Sequence, residues 1–311
     1  MFTGGELRER MRSDELRRRV AATLLGIEPD QRLPTIRQLA SQHRASIGAT
    51  QETLARLEAE GAVAIDRRGR LGAVLRSRSI GALWAAAEGV PLIVSLPLPN
   101  TPRTEGLATA IKSLLTDAGV EVYLVFSRGS RHRLVELRQG RCHVVVLSAL
   151  AARELCGSAE RVLLQLPAPS FVREHRVYFA DRAEGMDGPP RVVIDRDSLD
   201  FQRLTELEFE GTGARFVPAS YMEFPRLMAE READAVIWDV EEAEARMPRF
   251  VRSRSLSARV VAQIGDSDLR TAFIARVEDT SVQLVAKACL DPAAVMRIHG
   301  QVVEHKRVPS Y

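Results

Sequence analysis

The stretch Leu33-Pro34-Thr35-Ile36-Arg37-Gln38-Leu39-Ala40, followed by Ser46 and by Leu54-Ala55-Arg56-Leu57-Glu58-Ala59-Glu60-Gly61, spells two helices joined by a short turn. Thr35 suits an N-cap, because its hydroxyl can accept a bond from an unpaired first-turn amide. Ile36, Leu39 and Ala40 then form one apolar face. Past Gln42-His43-Arg44-Ala45, Ser46 is a second N-cap, opening a helix that runs to Glu60 with Gly61 at the C′ position. Its expected core face is Ile47, Thr50, Leu54 and Leu57. Ala62 to Asp66 alternates like a strand, Arg67-Arg68-Gly69-Arg70 turns, and Ala73-Val74-Leu75 returns. Upstream, Ser13 before Asp14 and Glu15 predicts another N-cap, with Leu16, Val20, Leu24 and Leu25 at helical spacing. This is a winged helix-turn-helix pattern. In such a module the second helix lies in the major groove, and arginines at the hairpin tip reach phosphate or the minor groove. The plainer alternative is a small helical domain with a solvated basic hairpin.

From about residue 90 the pattern alternates between short apolar runs and amphipathic helices. Strands are expected at 92–96, 120–126 and 144–147, and helices at 106–118, near 134–137 and at 149–156. Polar, Gly- and Pro-rich residues 181–190 read as a linker. A second series follows, with strands at 191–194, 214–217, 235–238 and 272–277 and helices at 198–208, 221–231 and 279–289. The fold class is therefore α/β: an N-terminal winged helix-turn-helix domain (1–78), a linker (79–90) and a C-terminal two-lobed α/β domain (91–311). Helix-like Ile80 to Ala87, with Leu83 and Trp84, would carry lobe closure to the DNA heads.

The 311 residues, 45% hydrophobic and 27% charged, exclude wholesale disorder. No apolar run reaches the ~20 residues needed to span a bilayer; Gly81 to Leu96 is broken by Glu88 and Pro91. Six arginines and no apolar core in the first twenty residues argue against a secretory signal. A soluble cytoplasmic protein is the expectation. The three cysteines, Cys142, Cys156 and Cys289, form no CxxC pair, so no zinc site is predicted. Net charge is only +3, but residues 1–80 carry 15 Arg against 10 Asp plus Glu. That asymmetry points toward nucleic acid. Arg dominates everywhere, with only three lysines in the chain, so codon composition is a competing cause.

The helix pair and its hairpin resemble the GntR-type winged-helix signature over residues 13–75. They depart at Ser46-Ile47-Gly48-Ala49-Thr50-Gln51, where that family usually has Ser-Arg-Thr-Thr-Val-Arg. The remainder resembles the YhfZ group, a GntR-like branch whose effector domain is similar to type 2 periplasmic binding proteins. The motifs are Leu96-Pro97-Leu98-Pro99-Asn100-Thr101 with Glu105-Gly106-Leu107-Ala108, Arg128-Gly129, Val172 with Glu174-His175, Asp234-Ala235-Val236-Ile237-Trp238, and terminal Pro309-Ser310-Tyr311. The resemblance implies a dimeric, ligand-responsive transcription factor that binds double-stranded DNA and has no membrane partner.

The candidate DNA-binding residues are Thr35, Arg37, Ser46, Thr50, Gln51, Arg67, Arg68 and Arg70. The family match makes exposed Arg37 a contact; Gln51 has the geometry for adenine. Gly48 fits close DNA approach or simple drift. Ligand candidates come from strand ends, where α/β sheets bind. They are Asn100, Thr101 and Arg103 at a helix start opened by Pro102, Arg128 after the second strand with Ser130, Arg131, His132 and Arg133 at the same face, and Ser148 after the third. Together they predict a small anionic metabolite. The second lobe offers Asp195, Tyr221, Trp238 and Asp239. Trp238 reads equally as core, and an Asp239 facing the cleft would add an amine to the ligand. His175 with Glu174 reads as a structural pair rather than a metal site. No cofactor is predicted. The competing classes are an enzyme, for which no GxSxG, P-loop, HExxH or helix-opening GxGxxG is present, and a solute-binding protein, which requires export.

Overall fold

The structure, a computed structural model, describes residues 4–69, 72–180, 188–247 and 251–311. Arg70 and most of the expected 181–190 linker lie outside the described residues. Contacts divide the chain into two compact units. One holds Met1–Leu92, Lys112–Tyr123 and Glu278–Asp291; the other holds Ile93–Ile111, Leu124–Val277 and Pro292–Tyr311.

The first unit opens with α1 (Gly4–Leu25), α2 (Ile36–His43), α3 (Ile47–Ala59), β1 (Val63–Arg67), β2 (Ala73–Arg78) and α4 (Ile80–Ala87). Helix α1 starts well before Ser13, which therefore sits inside it rather than capping it. Nothing in the Arg- and Glu-rich start breaks a helix. Leu16, Val20, Leu24 and Leu25 are buried as expected. Thr35 closes a reciprocal capping box: Gln38 N–H donates to its hydroxyl at 3.3 Å, and its own N–H donates to Gln38 Oε1 at 2.8 Å. Ser46 caps α3 by accepting from Ala49 N–H at 3.1 Å. Between them Arg44 takes a left-handed φ of 52°, which turns the chain. The inner face of α3 is Thr50, Thr53, Leu54 and Leu57; Ile47, expected in the core, is 48% exposed. Strands β1 and β2 pair antiparallel, and Gln31–Leu33 adds a third run through Leu33 N–H to Ala73 O (2.8 Å) and Leu75 N–H to Gln31 O (3.0 Å). The half of the signal that places a wing beside the recognition helix is thus built into backbone pairing.

Arg78 fastens this unit. Its buried guanidinium donates to Leu25 O at 2.7 Å, to Ile27 O, and to Glu28 at 2.6 Å. The Leu25 carbonyl is one of those left unpaired at the end of α1, and Ile27 follows just past it. Helix α4 is no exposed connector: Leu83 and Trp84 are buried, and Trp84 Nε1 donates to Val90 O at 2.9 Å.

The second unit is built from two five-stranded sheets. The chain runs through β3 (Leu92–Leu96), α5 (Pro102–Asp117), β4 (Val122–Phe126), α6 (Ser130–Arg138), β5 (Val144–Ser148), α7 (Ala149–Leu155) and β6 (Glu160–Gln165). It continues with β7 (His175–Phe179), β8 (Arg191–Ile194), α8 (Leu199–Glu208), β9 (Arg215–Pro218), a single 3-10 turn at Tyr221–Glu223, α9 (Phe224–Ala229) and β10 (Ala235–Asp239). Then come α10 (Val240–Arg246), β11 (Arg252–Ser255), α11 (Ala258–Ile264), β12 (Thr271–Arg276), α12 (Thr280–Cys289) and α13 (Pro292–Val303). One sheet has the order β4-β3-β5-β12-β6 and the other β11-β7-β10-β8-β9. Strands β3 and β5 are parallel, as are β8, β9 and β10, while β12 runs antiparallel to both β5 and β6. The chain thus leaves the first sheet after β6, builds the second, and returns as β12. Two crossings make two lobes, the α/β build that was expected. Elements β6, β11, α10, α11 and α13 were not legible in the sequence pattern. Helix α12 belongs to the first unit, where it packs on α1 and α4.

Two glycines separate packing from propensity. A Cβ on Gly81 would sit 2.0 Å from Gly119 O, whereas one on Gly48 meets nothing within 4 Å. Gly81→Ala should lower the melting temperature, since overpacking against backbone costs ~1–3 kcal/mol. Gly48→Ala should raise it, by up to ~1 kcal/mol of helix propensity. Thermal unfolding of the two variants checks both signs.

Candidate functional site

The outward face of α3 carries exposed Ile47, Gly48, Gln51 and Ala55, and α2 presents exposed Arg37. Thr50 does not join them. It is 0% exposed and its hydroxyl donates to Ser46 O at 2.8 Å, so it belongs to the core and cannot reach DNA. Thr35 and Ser46 are exposed, but their hydroxyls hold the two caps. The wing arginines are also engaged. Arg67 grips Glu58 of α3 at 2.6 and 3.1 Å, and Arg68 holds Asp66 at 2.9 Å. The Arg67 hydrogen bonds hold the Glu58 carboxyl below its ordinary pKa despite partial burial. Among the described residues Arg37 and Arg44, both exposed, have no acidic partner. Ile47 and Arg44 are surface features that the sequence reading did not nominate.

The second unit contains a cavity of about 80 Å³ between its two lobes. The first lobe contributes Thr101 and Thr104 from the start of α5, and Gly129, Ser130 and Arg133 from α6. The second contributes Ser198, Asp200 and Phe201 around the start of α8, Tyr221, and Asp239 and Glu242 at the start of α10. His175 and Val172 come from the crossing segment. Gly129 is required here: at φ +77° it lies so close to the second lobe that a Cβ would sit 2.7 Å from Asp197 O.

Of the residues expected to bind ligand, Thr101, Tyr221 and Asp239 line this cavity. The others do not. Arg103 pairs with Glu241 at 3.0 Å, Asn100 donates to Glu242 at 3.4 Å, and Arg128 donates to Ser220. Ser148 is fully buried, where it caps α7 and donates to Asp200 at 2.6 Å. Asp195 is consumed by backbone amides of Asp197 and Tyr221, each at 2.9 Å. Trp238 is core, 5.7 Å from the Phe224 ring. The expected convergence of Arg103, Arg128 and Ser148 on an anion is therefore overturned: each meets a group of this chain, most of them on the opposite lobe. Ser130 and Arg133 line the cavity from the strand-end face where they were expected with Arg128, and His175, expected only as a structural residue, lines it too. Asp200 and Glu242 were missed from sequence, because their isolated positions carry no motif.

The cavity wall is rich in acids. Burial pushes Asp200 up to about 6 and Glu242 up to about 7, the latter helped by the charge of Asp239. Asp239 is likewise raised by burial. His175 Nδ1 bonds Asp268 Oδ2 at 2.7 Å. Burial alone would lower its pKa, but that hydrogen bond and charge outweigh burial and raise it. Arg133 is depressed by burial to about 10 and stays cationic at neutral pH. It donates to Val146 O at 3.1 Å and Ser127 O at 2.8 Å. No group of three or more His, Cys, Asp or Glu among the described residues is placed to hold a metal ion. No helix among them is long and apolar enough to cross a membrane.

A helix-turn-helix head followed by a two-lobed α/β body defines the class: helix-turn-helix proteins with a large C-terminal ligand-domain-like fold. Within it, a family model described as a helix-turn-helix domain matches residues 30–75, and one described as the YhfZ C-terminal domain matches 80–311, so the chain belongs to the YhfZ family. It is 30% identical over 305 residues to YhfZ of Escherichia coli (strain K12), covering 94% of this chain and 95% of that one. The crystal structure of YhfZ from Shigella flexneri is similar at a TM-score of 0.61 and 27% identity, over 75% of this chain and 98% of that one.

The raised carboxyls carry a sign for stability. A folded-state pKa above the ordinary value means the native state holds the proton longer than the unfolded chain does. For Asp200 stability should fall as pH rises from near its ordinary 3.8 through about 6, and for Glu242 from near 4.5 through about 7. Folding stability, and the melting temperature with it, should therefore drop between pH 5 and pH 7, the stability by ~1 kcal/mol per decade and group. Asp200→Asn and Glu242→Gln should each flatten that slope in a pH series of thermal melts.

Proposed function

We propose that this chain is a ligand-responsive, DNA-binding transcriptional regulator of GntR-like type. Its winged helix reads an operator, its cleft senses a small-molecule effector, and it works as a cytoplasmic homodimer without catalysis. The observation that carries this reading is the two-faced helix α3. Thr50, Thr53, Leu54 and Leu57 hold it to the head, while Ile47, Gly48, Gln51 and Ala55 stand outward. A helix of that form fits the major groove. Gln51 can pair with adenine, and Ile47 can contact a thymine methyl. Arg37 and Arg44 flank it as phosphate contacts. Helix α5 supports coupling: its first turn lines the cavity, and its last residues, from Lys112, belong to the unit of the head.

The cavity chemistry favours binding over turnover. Ser130 Oγ accepts from Leu199 N–H at 3.0 Å, and Asp200 takes the Ser148 hydroxyl at 2.6 Å. None of the three cysteines lines the cavity, and burial raises their thiols to about 11 or 12. Among the lining residues there is thus no hydroxyl or thiol paired with a free base.

Selection of genomic fragments by the full chain, followed by mobility-shift titration, tests the reading. Two-fold related half-sites are expected, because one head covers few base pairs. Gln51→Ala should cost about 1–3 kcal/mol on the selected site and little on scrambled duplex. Arg37→Ala should weaken both and reduce the salt slope by about one. Equal binding of selected and scrambled duplex at physiological salt overturns the proposal.

A further inference from the structure

Five side chains lining the cavity keep a polar atom without a hydrogen-bond partner. Asp200 engages Ser148 through Oδ1, leaving Oδ2. Asp239 accepts from Glu241 N–H through Oδ1, leaving Oδ2. Glu242 Oε2 makes no hydrogen bond and lies 3.7 Å from Arg246. His175, its side chain 2% exposed, is bonded only through Nδ1, leaving Nε2. Arg133, 4% exposed, uses Nε and Nη1 on carbonyls, leaving Nη2. Of these atoms Glu242 Oε2 is wholly enclosed, and leaving a buried polar group unmatched costs ~1–3 kcal/mol, and more for a charge. Such a set is a template of what should enter.

We propose that the cavity binds a small zwitterionic amino compound, its ammonium facing Asp200, Asp239 and Glu242 and its carboxylate facing Arg133 and the first turn of α6. This rests on the reading of the cleft as an effector site and names the class of effector. The acids sit on the second lobe and Arg133 on the first, so the two poles of one molecule would meet opposite walls. The N-terminus of α6 adds to the anionic end through its dipole: Gly129 supplies no side-chain cap, and the Arg131 N–H already donates to Asp197 O at 3.3 Å. A simple anion would leave the free oxygens of Asp200 and Asp239 unmatched and repelled. A simple cation would leave Arg133 and His175 unmatched. At ~10–15 Å³ of such volume per water, the cavity has room for ~5–8 water-sized units, which suits a compact molecule. The rings of Phe201 and Tyr221, 5.6 Å apart, offer an apolar flank to a short side chain.

Thermal shift and calorimetric titration of the full chain would use glycine, L-alanine, L-serine and β-alanine as zwitterions, propionate as the anion and propylammonium as the cation. At least one zwitterion should raise the melting temperature, with propionate and propylammonium ineffective at the same concentration. Asp239→Asn keeps the α10 cap and should weaken the best zwitterion about tenfold or more. Glu242→Gln removes a group with no hydrogen bond at Oε2, and gives the same test if Asp239→Asn folds poorly. Stabilisation by propionate or propylammonium equal to that by the zwitterions overturns the inference but leaves a small-molecule sensor standing. Silence of all four zwitterions, or shifts untouched by both substitutions, overturns it as well. Operator binding, measured separately, decides the regulator reading on its own.

Discussion

Strand β12 is the constraint on which the body depends. It is the last strand in sequence yet lies inside its sheet, antiparallel between β5 and β6. Its residues Ala272 to Ala275 are fully buried. Neither β5 nor β6 can complete its backbone pairing until the chain has made the whole second lobe and come back. Unpaired buried amides are costly, so the first sheet is finished only when both crossings are in place. That requirement makes two lobes rather than one larger sheet, and it places a cavity where the crossings pass. His175 stands at the start of the first strand after the outward crossing, and its partner Asp268 lies on the inward one. One buried pair thus ties the two crossings together at the cavity floor.

Beside the apolar contacts of Leu199 with the first-lobe core and of Leu98 with the second, polar contacts close the lobes. Arg103 with Glu241, Arg128 with Ser220, Ser148 with Asp200, and Ser130 with the Leu199 amide each join residues far apart in sequence. Buried pairs of this kind add little net stability, because desolvation offsets much of the attraction. Their geometric demands are strict, which suits them to fixing one arrangement of two lobes. The acids at the wall follow the same logic. Held by one oxygen each, Asp200 and Asp239 are oriented without being neutralised.

The head was legible because its signals are local. A cap at Thr35 or Ser46 acts over three residues, and the inner face of α3 repeats every three or four. Two corrections there are informative beside that of Ser13. Ile47 is apolar yet exposed, because it sits on the first turn, ahead of the part of α3 that packs. Thr50, expected both on the core face and as a DNA contact, keeps only the first role: it is polar yet buried, because its hydroxyl is satisfied by the Ser46 carbonyl one turn back. In the body, β3, β4 and β8 end where expected and β5, β9, β10 and β12 within one residue of it, while β6 and β11 were not legible; Thr101 caps α5 through Thr104 as its position predicts. The lining was not legible. Whether an arginine at a strand end faces a ligand depends on the acid opposite, and Glu241 lies 138 residues from Arg103. No window of sequence contains both.

Charge in the head shows why composition alone misleads. Its excess of arginine suggests a broad basic surface, yet much of that charge is answered within the fold. Arg17 and Arg56 both hold Glu60, Arg67 holds Glu58, Arg68 holds Asp66, and Arg78 closes the end of α1. A guanidinium already bonded to carboxylate must break that bond before it can neutralise a phosphate, so it contributes less to counterion release than its formal charge implies. Surface pairs are weak, about 0–1 kcal/mol, so Arg68 can still exchange Asp66 for DNA at modest cost. Arg67, bidentate on a residue of α3, has more to lose, because the same pair fixes the wing to the recognition helix. The electrostatic footprint of the head is therefore set less by how many arginines it has than by which of them, Arg37 and Arg44 among them, the fold leaves unengaged.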